Sequence, residues 1–234
     1  MEAMCRIELL QEGEILPFDK PYGLTSFYLV NQVRYHLCRQ TGLKKLKVGH
    51  AGTLDPLATG MLILCTGKAT KRITELQALP KEYVAEITFG ATTPSFDMET
   101  AIDNTYNTDH INRDLIEKKT KIFIGKIDQI PPMFSAKFIN GVRAYEYARE
   151  GIKKELVASK IEIYKIDCLD YNPPVVKLKI LCSKGTYIRA LARDLGVVLG
   201  SGGYLSGLRR TAVGLYTEDK AINFENFLKE TVLT

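Results

Sequence analysis

Apolar positions recur along this chain with two different periods. Phe27, Val30, Val33 and Leu37 fall three or four residues apart, which predicts a helix with one buried face and Thr25 or Ser26 as its cap. Tyr83, Ala85, Ile87 and Phe89 alternate with Val84, Glu86 and Thr88, the two-residue period of a half-buried strand. Met61 to Cys65 is an unbroken apolar run of strand length, as expected of a strand covered on both faces. Further strands are predicted over 14–18, 160–167 and 175–182, the last two joined by Asn172-Pro173-Pro174, and near 208–216. Helices are predicted after Gly67, from Thr108 or Asp109 to about Lys119, and over 144–150. Another starts at Thr186 and carries Ile188, Leu191, Leu195 and Val198, and a short amphipathic one starts at Phe224. Strands and helices interleave, with hairpins among them. This predicts an α+β fold built on a large mixed, mostly antiparallel β-sheet flanked by helices. No repeat, heptad run or linker divides the chain, so a single domain over 1–234 is expected.

Composition narrows the class without choosing the function. With 45% hydrophobic and 25% charged residues, the 234-residue chain is of ordinary globular type. No apolar run approaches the roughly 20 residues needed to span a bilayer, and the mixed-sign start Met1 to Arg6 is not a signal peptide. The expected location is therefore cytoplasmic, with no membrane partner. The cysteines Cys5, Cys38, Cys65, Cys168 and Cys182 form no C-x-x-C pair, and His36, His50 and His110 are the only histidines, so no metal site is expected. The net charge of +5 barely favours a nucleic-acid partner. Its local distribution says more. Lys44, Lys45 and Lys47 precede a Gly-rich loop at 49–60, and the stretch from about 121 to 154 interleaves cations with Phe138, Tyr145 and Tyr147. That mixture grips phosphates and stacks on bases, although an ordinary solvated face has the same composition.

Two segments stand out as chemistry. The loop Gly49-His50-Ala51-Gly52-Thr53-Leu54-Asp55-Pro56-Leu57-Ala58-Thr59-Gly60 has three glycines, and its Pro56 keeps Asp55 out of helical backbone. Such a loop can present one carboxylate, but the residue types taken alone fit an ordinary Asp-Pro turn better. The second segment, Ser183-Lys184-Gly185-Thr186-Tyr187-Ile188-Arg189, ends a strand and opens a helix. Arg189 lies in the first helical turn, where the helix dipole disfavours a cation, so a carboxylate or phosphate is expected near it; a merely solvated arginine fits the local pattern equally. Gly60 to Lys68 is not a phosphate-binding loop, because its glycines are too far apart and Ala69 replaces the hydroxyl residue. Gly200-Ser201-Gly202-Gly203 lacks the third glycine of a dinucleotide fingerprint.

Together these segments resemble the TruB family of tRNA pseudouridine synthases. Five stretches match in the family's order: Asp19 to Ser26; Gly49 to Leu62; Lys81-Glu82-Tyr83; Ile130 to Ala136 with Tyr145 to Arg149; and Ser183 to Arg189 followed by Leu208-Arg209-Arg210. The resemblance runs from about Glu14 to Tyr216. It implies the pseudouridine synthase fold, with an RNA-gripping, thumb-like insertion at about 121–154. It implies that the chain is an isomerase acting on the T-arm uridine 55 of tRNA, by base flipping and Asp-dependent cleavage and re-formation of the glycosidic bond. By residue, Asp55 matches the essential aspartate, Tyr83 the tyrosine that stacks on the target uracil, and Arg189 the arginine that pairs with the aspartate. His50 matches a histidine at the RNA interface, Tyr187 and Leu208 match substrate-contacting positions, and Lys20 a lysine beside the active site. The match departs at Phe138, where the family has a lysine and Lys137 stands adjacent, and at Phe134, where it has a tyrosine.

The expected partner is tRNA through its T arm, met by a monomer without guide RNA, cofactor or metal. No C-terminal accessory RNA-binding domain is expected. The alternative is an RNA-binding, tRNA-folding chaperone module, which shares the basic insertion but gives no reason for the Asp55 loop. A glycoside hydrolase would need a second carboxylate, and none stands out in the motifs.

Overall fold

A computed structural model describes residues 2–152 and 154–230. By chain contacts it forms two compact units, one reaching to Glu82 and resuming at Arg209, the other Tyr83–Leu208.

The first unit opens with α1 (Glu2–Glu12), β1 (Ile15–Lys20), α2 (Ser26–Thr41), β2 (Val48–His50), β3 (Thr59–Thr66) and α3 (Ile73–Ala78). Strand β4 (Lys81–Phe89) carries the chain into the second unit. There follow β5 (Ala91–Thr92), β6 (Asn104–Thr105), α4 (Arg113–Thr120), β7 (Gly125–Gln129), β8 (Phe138–Ile139), β9 (Val142–Arg143) and α5 (Ala144–Arg149). Then come β10 (Ser159–Asn172), β11 (Val175–Cys182) and α6 (Ile188–Val198). Strand β12 (Gly203–Val213) returns the chain to the first unit, which ends with β13 (Tyr216–Thr217), β14 (Ile222–Asn223) and α7 (Phe224–Glu230).

The class is α+β on a large mixed, mostly antiparallel sheet, as the interleaved patterns predicted. In the first unit the order is β14-β1-β3-β12. Strand β1 runs antiparallel to β3, with Lys20 opposite Gly60, and β12 runs parallel to β3, with Arg209 opposite Thr59 and Arg210 opposite Gly60. Strand β3 is covered on both faces. Leu62 and Leu64 pack with Leu29, Val30, Val33 and Leu37 of α2, while Met61, Ile63 and Cys65 pack with Leu76 of α3 and Val213. Two-residue alternation thus divides one apolar run between two cores.

In the second unit β4, β11, β10 and β7 are successive neighbours, and β10 is antiparallel to both β11 and β7. Tyr83, Ala85, Ile87 and Phe89 are all buried along β4, the face that the alternation marked. Helix α6 buries Ile188, Leu191 and Leu195 but begins at Ile188, after Tyr187, two residues later than expected. Helix α4 also starts late. Asn112 Oδ1 accepts from Leu115 N there, so the cap is neither Thr108 nor Asp109.

Helix α2 is capped as predicted, Thr25 Oγ1 accepting from Tyr28 N, and ends at Gly42 with φ 69°. Its buried face differs from the prediction at its N-terminal end. Ser26 and Leu29 are enclosed, and Phe27 is 67% exposed. No helix among the described residues is long and apolar enough to cross a membrane.

Candidate active site

Three of the residues marked in the sequence, Lys20, His50 and Asp55, are gathered around one loop of the first unit. Strand β2 sets its entry by pairing with β3, His50 opposite Leu64, and Ala51 N extends the ladder to Ile63 O at 2.8 Å. At the tip Ala58 N donates to Asp55 O at 3.1 Å, closing a turn with Asp55 first and Pro56 second, the positions these residue types favour. The Asp55 side chain is half-buried.

Three side chains brace this loop. Ser26 Oγ, buried at the first residue of α2, donates to Leu54 O at 3.0 Å and accepts from Leu54 N at 2.9 Å, fixing both polar groups of the residue before Asp55. Lys20 Nζ donates to Pro21 O, Leu24 O and Pro56 O at 2.9, 2.7 and 3.3 Å, using the full donor capacity of an ammonium. Arg210, also buried, donates through Nε to Met61 O at 2.6 Å, through Nη1 to Thr53 O at 3.3 Å, and through Nη2 to Gly52 O at 3.2 Å. Its neighbour Arg209 points to the opposite side of β12. It forks onto both carboxylate oxygens of Asp19 at 3.1 and 2.9 Å and reaches Glu218 at 2.6 Å.

Electrostatics follow from this enclosure. Burial brings the Lys20 ammonium down to about 8, opposed by Asp55 nearby, assisted by Arg210, and opposed again by Asp19. Burial, then Arg210, also lowers the His50 imidazole below the ordinary histidine range, so at neutral pH it is uncharged. The His50 Nδ1 is buried with no hydrogen-bond partner. The loop therefore carries one half-buried carboxylate and a neutral imidazole, and is braced by two cations solvated by main-chain carbonyls.

The other marked residues lie in the second unit. Tyr83 is buried on β4, Leu208 is half-buried on β12, and Tyr187 and Arg189 stand at the start of α6. Gln129 fixes the Tyr187 backbone, accepting from its N–H at 2.9 Å and donating to its carbonyl at 3.1 Å. Arg189 is 5% exposed. Its Nη1 donates to Phe134 O at 3.0 Å and Ser95 O at 3.5 Å, and its Nε is 3.6 Å from Asp97 Oδ2. A carboxylate was expected near this first-turn cation, and Asp97 is one. The Asp97 loop is itself constrained. Phe96 adopts φ 64°, Thr93 Oγ1 and Ser95 Oγ donate to Asp97 O, and Leu205 N donates to Phe96 O.

Ser26, Arg210, Asp97 and Gln129 were not marked as site residues. Ser26 and Arg210 do lie inside matched stretches, but a motif does not say which carbonyl a side chain will reach. Asp97 sits in the stretch Thr92 to Thr100, whose only signal is the turn composition of Thr, Pro and Ser. In the insertion, Arg143, Arg149 and Lys154 lie over Phe138, Tyr145 and Tyr147 at 3.9, 5.2 and 5.5 Å from the ring centroids. Lys137 there donates to Ser159 Oγ at 2.7 Å. Among the described residues, no three His, Cys, Asp or Glu side chains are grouped as metal ligands.

Known proteins share this arrangement of sequence. A family model described as "TruB family pseudouridylate synthase (N terminal domain)" matches residues 39–188, and one described as "tRNA pseudouridylate synthase B C-terminal domain" matches 189–234. A protein named tRNA pseudouridine synthase B from Phocaeicola vulgatus is 57% identical over 217 residues, 93% of this chain and 92% of its own. Namesakes from Bacteroides fragilis and Chloroherpeton thalassium are 59% and 43% identical, over 87% and 95% of this chain and 88% and 92% of theirs. Among solved structures, a chain of a Cbf5–Nop10–Gar1 complex superposes with a TM-score of 0.73 at 28% identity. The match covers 96% of this chain and 56% of that longer one.

Proposed function

Because the chain belongs to the TruB family of pseudouridylate synthases, we propose that it isomerises one uridine of tRNA, uridine 55 of the T arm, to pseudouridine. The observation that carries this reading is the braced loop around Asp55, where Ser26, Lys20 and Arg210 hold the main chain on either side of a single carboxylate. Relatives that bear the name of this activity and match over almost their whole length support it.

The reaction breaks the bond between ribose C1′ and uracil N1, turns the base, and joins C1′ to C5. C5 then loses its proton and N1 ends protonated, so no atom or electron is supplied from outside. The target base lies within folded RNA and has to be everted, at a cost of about a few kcal/mol. Contacts to phosphates and stacking on the base offset that cost. Asp55 is the catalytic carboxylate. Tyr83 stacks on the uracil and Arg189 supplies the matching positive charge. Tyr187, Leu208 and His50 contact the substrate, and Lys20 stands beside the reacting carboxylate. The insertion's paired cations and aromatic rings grip the T arm. The protein acts as a monomer, without guide RNA.

Tritium release from tRNA carrying 5-tritiated uridine tests the assignment. Asp55→Asn is expected to bind tRNA yet lose about a thousandfold or more of the rate. Wild-type turnover by that variant, or pseudouridine mapped by mass at some other position, would overturn it.

A further inference from the structure

Helix α2 leaves exposed one ring that its periodicity marked for burial, Phe27, together with two tyrosines. Phe27 and Tyr35 are 67% and 57% exposed, and Tyr28 between them is also exposed. At 100° per residue, Phe27, Tyr28, Arg34, Tyr35 and Arg39 share one arc of the helix, away from Leu29, Val30, Val33 and Leu37. Three exposed rings interleaved with two guanidiniums are an unusual solvent face, since large aromatic side chains mostly find cover.

The charge of the segment is equally one-sided. From Lys20 to Leu54 there are six lysines and arginines and no aspartate or glutamate. Among the described residues, Arg34, Arg39, Lys44, Lys45 and Lys47 form no ion pair, whereas Lys68, Arg72, Arg113 and Lys177 each have a carboxylate partner. Arg34 donates instead to Asn31 within its own helix. The cations of α2 and the loop after it thus keep their charge available to an outside anion.

The face also has a direction. Ser26, at the first residue of α2, is bonded to both polar groups of Leu54, one residue before Asp55. The aromatic stripe therefore begins beside the catalytic loop and runs from it for about 18 Å to Arg39.

We propose that this face of α2, with Lys44, Lys45 and Lys47, is a second RNA-binding surface, which holds the tRNA strand flanking the everted nucleotide. The arginines and lysines bind its phosphates, and Phe27, Tyr28 and Tyr35 stack on its unpaired bases. Charge complementarity favours this occupant: Arg34, Arg39, Lys44, Lys45 and Lys47 lie on a segment without a carboxylate, and RNA offers phosphates for them together with bases for the exposed rings. The proposal rests on the tRNA reading above.

The test uses the full chain and an unmodified tRNA transcript, comparing wild type with Arg34→Gln/Arg39→Gln and with Tyr28→Ala/Tyr35→Ala. All substituted positions are exposed, and thermal melts verify that each variant folds. Both variants are expected to raise KM for tRNA about tenfold or more, with kcat at saturation held within about twofold. The arginine variant is also expected to flatten the slope of log K against log salt by about 1.4–1.8, two phosphate contacts' worth. An unchanged KM and salt slope would overturn the surface. So would a change in sedimentation with tRNA binding intact, which would make this face a contact between copies of the chain. Binding measured by fluorescence anisotropy decides the question independently of turnover. A wild-type protein that releases no tritium at all would instead count against the assigned reaction.

Discussion

Lys20 shows no exposed surface, and its ammonium is solvated by three carbonyls alone. Burial penalises the charged form, so the folded protein binds this proton less tightly than the unfolded chain does. The sign follows from linkage. Below about 8 both states hold the proton and the penalty is fully present; between about 8 and 10.5 the unfolded chain still holds it while the folded protein releases it. The contribution of Lys20 to stability therefore rises with pH across that window, by about 3 kcal/mol at most. Urea unfolding of wild type and Lys20→Met at pH 7.5 and 10 measures it. Wild type is expected to gain on the variant at the higher pH, and parallel behaviour would contradict the burial argument. The Asp55 loop stood out in the sequence only through its resemblance to a family motif, since its residue types alone fit an ordinary turn. Its supports did not stand out, because Ser26 lies 28 positions and Arg210 157 positions from the carbonyls they bind. A local pattern carries no information about such distant partners.

Among the elements, β3 was legible and its neighbour was not. Five consecutive apolar residues announce a strand covered on both faces. Nothing local says that a strand about 150 residues later lies parallel to it, with Arg210 beside Gly60. Gly60 explains how close that approach is. Its φ is 99°, and a Cβ there would lie 2.3 Å from the Arg210 carbonyl oxygen. Gly60→Ala is thus expected to force the two strands apart and lose about 3 kcal/mol or more of stability. Chemical denaturation reads this directly, and a loss below about 1 kcal/mol would mean that β3 and β12 can separate at little cost. Helix α2 shows the opposite limit of pattern reading. Periodicity placed Phe27 inside because it is apolar and correctly spaced, but an arc centred on Leu29, Val33 and Leu37 fills with Ser26 at that position. The small hydroxyl is there to hold Leu54, and the larger ring is left outside.

For the molecule as a whole, the α+β class was legible from the interleaving of two periods, and the strand order was not. The order depends on returns such as β12 and β14 to the first unit, which join segments far apart in the chain. Binding has a consequence at this scale. A ligand that engages only the folded chain stabilises it by about 2.7 kcal/mol at a hundredfold excess over Kd. Unmodified tRNA at that excess is expected to raise the melting temperature by about 5 °C, given the usual transition entropy for this size. Asp55→Asn is expected to show the same shift, since it removes chemistry and leaves recognition in place. Differential scanning calorimetry at low salt makes the comparison, and a variant that fails to shift would move Asp55 from chemistry to recognition.

Consecutive arginines on β12 look outward and inward in turn, one forking onto Asp19 and the other threaded among the carbonyls that hold the Asp55 turn. Parity along a strand is unforgiving: losing one residue ahead of this pair would exchange their destinations, sending a carboxylate-seeking fork to the interior and the carbonyl clamp to solvent. Residue count ahead of this pair thereby decides which arginine reaches the Asp55 turn.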